Sequence, residues 1–271
     1  MSNKTISILG SGWLGLPLSD LLVHEGHRVH LSSRSTDKIT RLKAKNKQLF
    51  KLSVEADCLE GNFYAFLEAD TLIINIPPSR RPAVNNQFNR LIPLIESSPI
   101  QKIIFVSATS VYRNNNGWVR EDSLDEKAEH PLLTAENLFL NMPQKYPIIL
   151  RMAGLVGGKR HPGQFFQKKN QIPNSPVPIN LIHRSDCIQI IKLLAATTKT
   201  TGVFNACADK HPNKADFYTA AAQSLGITIP LSETIKNPPY KIVCNKKLKN
   251  LLNYTYMHPN PSSLLAQSSW Y

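Results

Sequence analysis

The sequence predicts an α/β fold class: a doubly wound parallel sheet with helices on both faces and a small lobe formed by the C-terminal part of the chain. The first half alternates short apolar runs with segments of helical periodicity, as β-α-β units do. Runs such as 72–74 and 103–106 are apolar throughout, as strands buried on both faces of a sheet must be. Beyond about residue 151, glycines and prolines become frequent and indicate loops.

The individual elements follow from this alternation. We predict strands over Ile6–Leu9, Arg28–Ser32, Gln48–Leu52, Thr71–Ile76, Ile103–Val106 and Ile148–Arg151. We predict helices over Leu14–Leu22, Asp37–Asn46, Asn86–Ser97, Leu132–Asn141, Ser185–Ala195 and Lys214–Leu225. Gly26 and Gly226 are expected to end the first and the last of these helices, and Ser185 to cap its own helix. The chain then divides into a core over 1–155 and a mixed region over 156–271, which forms the lobe and completes the core.

The composition limits the classes of function. The 271 residues include 32 basic and 19 acidic side chains, a net charge of +13. The basic residues are scattered in short clusters, whereas a dedicated nucleic-acid surface would gather them on one face with aromatic residues between them. We therefore expect attraction for anionic small molecules and no dedicated nucleic-acid binding.

The same composition bears on location and cysteine chemistry. No run of about 18 apolar residues is present, and the N-terminal residues lead straight into a predicted strand. We therefore expect no membrane segment, no signal peptide, a cytoplasmic location, and a monomer or homodimer. The four cysteines lie far apart without metal-ligand spacing, so buried thiols are expected rather than disulfides or a metal site.

A glycine-rich loop is the strongest local motif. It follows the first predicted strand directly, opens a helix, and reads Gly10-Ser11-Gly12-Trp13-Leu14-Gly15. In a GxGxxG loop the three glycines allow a tight turn, a close approach of a pyrophosphate, and close packing of helix on strand. The helix N-terminus adds free N–H groups and a positive dipole end. The motif predicts a Rossmann-type dinucleotide site; the alternative is a purely structural turn.

The end of the second predicted strand indicates which dinucleotide is bound. Loops that prefer NAD carry an acid there, about 20 residues past the glycines, to bind the ribose hydroxyls. This chain has Ser33, Arg34 and Ser35 instead, with no acid before Asp37. A guanidinium and hydroxyls suit a 2′-phosphate, which a carboxylate would repel. We therefore expect NADP in preference to NAD, unless Arg34 is only a solvated loop residue.

Further cofactor contacts are expected where later strands end. Asn75, Ile76 and Pro77 end the fourth predicted strand, where the backbone passes the cofactor in such sheets. Proline at this point is expected to shape the turn rather than to do chemistry. Ser107, directly after the fifth predicted strand, completes the predicted cofactor contacts.

Four later segments, added to the glycine loop, carry a family resemblance. Residues 105–112, 117–121, 150–157 and 179–186 read FVSATSVY, GWVRE, LRMAGLVG and INLIHRSD. In this order they resemble the extended short-chain dehydrogenase/reductases, the NAD(P)-dependent epimerase/dehydratase family, and most of all its atypical, YeeZ-like members. The resemblance implies a seven- or eight-stranded parallel sheet with a C-terminal substrate lobe. It also implies a Ser or Thr after strand five, and a Tyr-x-x-x-Lys pair in which the lysine lowers the pKa of a proton-exchanging tyrosine.

This chain departs from the family at those three positions. Counting back from Glu136 places Ala128 and Leu132 where the tyrosine and lysine belong. Aligning on Tyr112 places Ala108 at the Ser/Thr position. An enzyme of this kind would need a substitute proton donor, a side chain or a water, within hydrogen-bond reach of its substrate.

Substitute donors and substrate contacts can be named, each with a structural alternative. Tyr112 is the first candidate donor, unless it only packs with its hydroxyl satisfied, and Thr109 is the second, unless it only lines the cofactor. His183 could donate or contact substrate, or only orient its loop. Arg151 either binds an acidic substrate or pairs with Glu121 or Asp122.

Two classes of function remain open. The first is an NADP-dependent oxidoreductase of the atypical short-chain type that acts on a small molecule. One expectation is that this substrate carries an anionic group. The loop Lys159-Arg160-His161 would then either contact the substrate or simply be solvated. The alternative is a non-catalytic NADP-binding protein that senses redox state or serves as a scaffold. A β-hydroxyacid-type dehydrogenase would share the glycine loop and Arg34 but needs a mostly helical C-terminal half, which the loop-rich texture disfavours.

Overall fold

The largest sheet among the described residues has seven parallel strands. The structure is a computed structural model that describes residues 3–42, 47–55, 57–76 and 87–266. The strands are β1 (Thr5–Leu9), β2 (Arg28–Ser33), β3 (Lys47–Lys51), β4 (Thr71–Ile74), β5 (Lys102–Ala108), β6 (Tyr146–Met152) and β7 (Gly202–Ala206). Their order across the sheet is β3-β2-β1-β4-β5-β6-β7. This is the doubly wound order, which reverses beside β1, and it confirms the predicted fold class.

The register shows how β1 organises the sheet. It pairs in parallel with β2, where Thr5 lies opposite Arg28, and with β4, where Ile6 lies opposite Thr71. Ile8 is fully buried, as parallel strands covered on both faces require. The carboxyl ends of β1, β2 and β4 therefore lie side by side, at the point where such sheets bind ligands.

Helices connect these strands and continue beyond them. They are α1 (Gly15–His24), α2 (Thr36–Arg41), α3 (Phe63–Leu67), α4 (Ile92–Glu96), α5 (Pro131–Leu140), α6 (Arg184–Ala196), α7 (Lys214–Gln223) and α8 (Lys246–Leu252). Gly26 and Gly226 adopt positive φ angles of 88° and 69° just after α1 and α7, as predicted for residues that end helices. Short 3₁₀ turns cover Thr109–Val111, Pro162–Gln164, Gln167–Lys169 and Pro261–Ala266.

Three predicted helices differ from the observed ones. Of the helix expected over 86–97, residue 86 lies outside the described part, and among residues 87–97 only α4 is an α-helix, because Pro93 fits the first turn of a helix but not its interior. Of the helix expected over 37–46, α2 is described to Arg41, and residues 43–46 lie outside the described part. α6 begins one residue before the predicted cap, Ser185. The ring nitrogen Nδ1 of His183 accepts the Ser185 N–H at 3.3 Å and takes the capping role.

Four pairs of short strands were not predicted from the sequence. Three are parallel: Gly154–Val156 with Leu181–His183, Ile172–Asn174 with Leu231–Thr234, and Lys241–Val243 with Gly117–Val119. The fourth, Ser53–Val54 with Leu59–Glu60, is antiparallel and follows β3. Strands of two to four residues leave too short a hydrophobic pattern to recognise.

The chain forms two compact units that interleave along the sequence. Unit 1 comprises Met1–Ser107, Ala128–Leu150 and Ile190–Val203, and unit 2 comprises Ala108–Lys127, Arg151–Gln189 and Phe204–Tyr271. In unit 1, the rings of Phe88, Phe105 and Phe139 form a buried aromatic cluster. In unit 2, Val156, Leu181, Phe217 and Leu264 belong to one buried cluster. Across the described ranges, no helix is long and apolar enough to span a bilayer.

The side chain of Lys102 caps the C-terminal end of α6 within unit 1. Its side chain is buried at the start of β5, and its ammonium donates to the carbonyls of Leu194 at 2.9 Å and Ala195 at 3.2 Å. These carbonyls belong to the last turn of α6, where a helix leaves C=O groups without i+4 partners. The carbonyl of Leu194 also accepts the N–H of Thr197 at 3.3 Å and its hydroxyl at 2.7 Å. Burial lowers the pKa of Lys102 to about 8, so the group remains largely protonated at neutral pH.

We expect Lys102→Met to destabilise the protein by about 1–3 kcal/mol, since the helix carbonyls lose a charged donor and stay buried. Urea unfolding followed by circular dichroism measures this free energy. The control is Lys51→Met, which removes an exposed ammonium at the end of β3 and should change the free energy of unfolding by less than about 0.5 kcal/mol. Equal effects of the two variants would contradict the proposed role of Lys102.

Candidate functional site

The glycine loop joins β1 to α1 and is fixed by hydrogen bonds to β2. The Gly10 N–H donates to the hydroxyl of Ser32 at 2.9 Å, and the Ser11 N–H donates to the carbonyl of Ser32 at 2.9 Å. Asn75, just beyond β4, donates its N–H to the carbonyl of Leu9 at 3.0 Å. The carboxyl ends of three neighbouring strands therefore hold the loop in one shape.

The three glycines of the loop have different surroundings. Gly10 has a φ of 111°, and a Cβ added there would lie 2.8 Å from the carbonyl oxygen of Asn75. A Cβ at Gly15 would overlap the carbonyl oxygen of Gly10, so the start of α1 touches the loop backbone directly. A Cβ at Gly12 would meet no atom within 4 Å. The fold therefore requires glycine at positions 10 and 15, whereas Gly12 faces open space.

The first turn of α1 is not capped by a side chain. Leu14 occupies the cap position with helical backbone angles and makes no side-chain hydrogen bond there. The helix carries no acidic residue in its first turn. The positive end of the helix dipole is therefore not neutralised locally, as in sites that receive phosphate groups.

A cavity of about 850 Å³ opens beside this loop within unit 1. Its lining residues come from the carboxyl ends of β1, β2 and β4, from the start of α2 and from the segments after β3 and before α4. They are Leu9, Gly10, Ser11, Gly12, Ser32, Ser33, Arg34, Ser35, Lys38, Leu52, Val54, Glu55, Asn75, Ile76 and Gln87. A space of this size is in the range of small-molecule and cofactor sites, about 300–1,000 Å³.

Most of the predicted cofactor residues meet in this cavity. Its wall includes Gly10, Ser11, Gly12, Ser33, Arg34, Ser35, Asn75 and Ile76. Leu14 and Gly15 are buried under the loop and Trp13 is half-buried, and these three residues do not line the cavity. Pro77 lies outside the described residues. Ser107 is buried, and its hydroxyl donates to the carboxylate of Glu136.

Sequence reasoning missed two charged residues of the cavity wall. Lys38 lies in the first turn of α2, where Ser35 caps the helix by accepting the Lys38 N–H at 3.2 Å. The Lys38 ammonium donates to the carbonyl of Ser11 in the glycine loop. Glu55 follows β3, and its Oε1 lies 3.7 Å from Nη1 of Arg34. The spacing of Lys38 from a serine cap is a signal that could have been noticed, whereas the position of Glu55 depends on strand pairing.

Tyr112, the first candidate proton donor, lies in the interior of unit 2. Its side chain has no exposed surface, and its hydroxyl donates to Oδ1 of Asn205 at 2.9 Å. The guanidinium carbon of Arg151 lies 4.8 Å from the centre of its ring. Burial raises the pKa of Tyr112 to about 12, although Arg151 and Asn205 act in the opposite direction. Thr109, the second candidate, is also buried, in the 3₁₀ turn after β5.

Arg151, a predicted substrate contact, forms an ion pair inside unit 2. Its Nη1 lies 2.9 Å from Oε1 of Glu126, and only 4% of its side chain is exposed. The partner is neither of the two acids considered from the sequence. Glu121 instead accepts the Asn205 N–H at 2.7 Å. Glu126 reaches Arg151 because its backbone forms an antiparallel bridge with Tyr112.

His183, the other predicted substrate contact, is held closely by its neighbours. Gly157 has a φ of 107°, and a Cβ there would overlap the His183 ring. The Nδ1 of His183 lies 2.7 Å from the hydroxyl of Ser185, and the ring stacks edge-on against His258 at 4.2 Å. Burial, with smaller contributions from His258 and Arg184, lowers the pKa of His183 to about 4, so the ring is neutral near pH 7.

The three family positions carry groups without a titratable proton. Ala108 ends β5, Ala128 is exposed before α5, and Leu132 is buried in the first turn of α5. The described residues also contain no group of three His, Cys, Asp or Glu side chains that could hold a metal ion.

Comparisons with known proteins agree with this architecture. The chain is 32% identical over 269 residues to protein YeeZ of Escherichia coli strain K12, covering 95% of this chain and 97% of that protein. The Bordetella bronchiseptica enzyme WbmG, solved with NAD and UDP, superimposes with a TM-score of 0.78 at 15% identity, covering 100% and 95% of the two chains. The UDP-N-acetylglucosamine 4-epimerase of Bacillus cereus gives a TM-score of 0.75 at 13% identity, with 97% and 98% covered. No protein-family model matches the sequence.

The strand order and the glycine loop at the end of β1 define a Rossmann-type α/β protein with the architecture of the NAD-dependent epimerases and dehydratases. Within that class the match over nearly the whole chain is more specific. The chain belongs to the YeeZ family.

The surroundings of Gly15 and Gly12 predict different effects of substitution on folding. We expect Gly15→Ala to destabilise the protein by about 1–3 kcal/mol, because its Cβ collides with the Gly10 carbonyl. Gly12→Val should leave the fold intact, because its side chain enters open space in the cavity. Circular dichroism and thermal unfolding measure both effects. A Gly12→Val variant that unfolds like Gly15→Ala would show that position 12 is structural.

Proposed function

We propose that the protein is an NADP(H)-dependent oxidoreductase of the atypical short-chain dehydrogenase/reductase type that acts on a small molecule. The observation that carries the proposal is the open space over Gly12, at the edge of a cavity of about 850 Å³. Because glycine has no side chain, a diphosphate can approach the backbone closely at such a position. The uncapped first turn of α1 adds the positive dipole end that phosphates favour.

The residues of the cavity fit the parts of a phosphorylated dinucleotide. The backbone of Gly10, Ser11 and Gly12 would hold the diphosphate, and Ser33, Arg34 and Ser35 the 2′-phosphate of the adenosine ribose. When bound, the cofactor supplies the hydride chemistry. Lys38 contributes a second positive charge to the same wall, which favours a dianionic phosphate further.

The structurally similar proteins support binding of a dinucleotide but do not distinguish NADP from NAD. WbmG was solved with NAD, and it shares only 15% of its residues with this chain. The preference for NADP therefore rests on this chain's own cations, Arg34 and Lys38. The net charge of +13 supports a substrate that carries an anionic group, such as a phosphate or a carboxylate.

Tyr112 and Thr109 as proton donors stay predictions. The position of Tyr112 sets a condition on its role, because its hydroxyl can reach a substrate only after leaving Asn205. With a pKa of about 12, the phenol holds its proton at physiological pH and is an acid rather than a base. Arg151 and His183 are proposed as substrate contacts. Both side chains are buried, so each would also have to become accessible before it could touch a substrate.

A second candidate function is a non-catalytic NADP(H)-binding protein that senses redox state or serves as a scaffold. The burial of Tyr112 favours it, together with Ala128 and Leu132 at the positions where the family places its tyrosine and lysine. Both candidate functions require the same cofactor cavity and differ only in turnover.

The cofactor preference can be measured directly. We expect NADPH to bind at least about tenfold more tightly than NADH, since a charge-assisted hydrogen bond contributes about 1.5–3 kcal/mol. Arg34→Ala should remove most of this difference, and Gly12→Val should block both dinucleotides because its side chain occupies the space of the diphosphate. Isothermal titration calorimetry of the three proteins with each dinucleotide gives the six affinities. Equal affinities of the wild-type protein for NADPH and NADH would contradict the preference.

Turnover separates the two candidate functions. Carbonyl compounds are screened for oxidation of NADPH, with phosphorylated and carboxylated compounds included. If Tyr112 donates the proton, Tyr112→Phe should lower kcat by roughly 10²–10⁴-fold with little change in NADPH affinity. Normal turnover with reduced thermal stability would show instead that Tyr112 only packs. Tight NADPH binding without any turnover across the screen would favour the sensor.

A further inference from the structure

The cavity wall carries an acid beside the arginine that would hold the 2′-phosphate. Glu55 lines the same cavity as Arg34, and the two side chains form an ion pair at 3.7 Å. The second predicted strand lacks the acid that NAD-preferring loops carry at its end. Pairing of β2 with β3 brings an acid to this region from a different strand end, since the Leu52 N–H donates to the carbonyl of Ser33 at 3.1 Å.

The carboxylate of Glu55 is held more firmly than its partner. Its Oε1 accepts the hydroxyl proton of Ser53 at 2.9 Å, and its backbone N–H donates to the carbonyl of Cys58 at 3.0 Å. These bonds belong to the short antiparallel pair that follows β3. The Arg34 side chain is 79% exposed, against 45% for Glu55. The negative charge is therefore positioned by the fold, and the guanidinium is the partner that can move.

Glu55 acts on a 2′-phosphate in two ways, both unfavourable. It occupies the guanidinium that the phosphate needs, and it repels the phosphate, which carries about −1.5 to −2 charges at neutral pH. An unphosphorylated ribose meets neither effect, since its hydroxyls are neutral and can donate hydrogen bonds to a carboxylate. Lys38, a second cation among the described residues of this wall, donates to the carbonyl of Ser11.

We infer that Glu55 is a selectivity-determining residue that limits the preference for NADPH over NADH by competing with the 2′-phosphate for Arg34. The inference rests on the proposed function, because it assumes that this cavity holds the adenosine end of a dinucleotide. It assigns opposite effects to two neighbouring side chains of one wall: Arg34 raises the affinity for the phosphorylated cofactor, and Glu55 lowers it.

The test is the isosteric substitution Glu55→Gln, which removes the charge and keeps an acceptor for Ser53. Repulsion between a carboxylate and a phosphate in water at about 7 Å predicts a gain in NADPH affinity of roughly three- to tenfold. NADH affinity should stay within about twofold. The matched control is Glu68→Gln, which removes an exposed acid at the end of α3 that does not line the cavity. It should leave both affinities unchanged. Calorimetry with NADPH and NADH gives all values without any need for turnover.

The role of the ion pair is tested by combining the substitutions. In an Arg34→Ala background, Glu55→Gln should give a smaller gain in NADPH affinity, since no guanidinium remains for the carboxylate to occupy. An equal gain in both backgrounds would overturn the competition for Arg34. An equal effect of Glu55→Gln on NADPH and NADH, or none on either, would overturn the selectivity role and leave the proposed function standing. Failure of the wild-type protein to bind either dinucleotide would overturn both.

Discussion

The carbonyl oxygen of Gly10 touches the backbone of α1 at Gly15, and the arrangement of the cavity depends on this contact. A single methyl group at position 15 would overlap that oxygen and push the helix away from the sheet. The loop is held on its other side by Ser32, through two hydrogen bonds of 2.9 Å. Close packing of helix on strand therefore fixes the open backbone at Gly12, the cavity wall and the end of β2 in one geometry.

The sequence was a good guide wherever a pattern was long and local. All six predicted strands are present. The plainest of them, β4 and β5, contain continuous apolar runs because parallel strands in the middle of a sheet are buried on both faces. The glycine loop and the residues at the end of β2 could be predicted to lie together because each is a contiguous motif beside a predicted strand, and both line one cavity. The helix α4 is shorter than predicted because Pro93 restricts where that helix can begin.

Residues brought together by distant pairing could not be predicted. Glu55 reaches the cavity only through the register of β2 with β3, in which Leu31 lies opposite Leu49. Arg151 meets Glu126 rather than Glu121 or Asp122 because the chain folds back after Tyr112. In each case the charged groups are evident in the sequence, but backbone hydrogen bonds between distant segments determine which of them become partners.

The open position at Gly12 has a consequence for how relatives of this chain diverge. Folding alone retains glycine at positions 10 and 15, where a side chain would collide with the backbone. Folding places no such demand on position 12, where an added Cβ meets no atom within 4 Å. Under the proposed function, glycine at this position serves the ligand alone. A relative with this fold and a bulky residue at position 12 is then expected to fold normally and to bind no dinucleotide in this cavity.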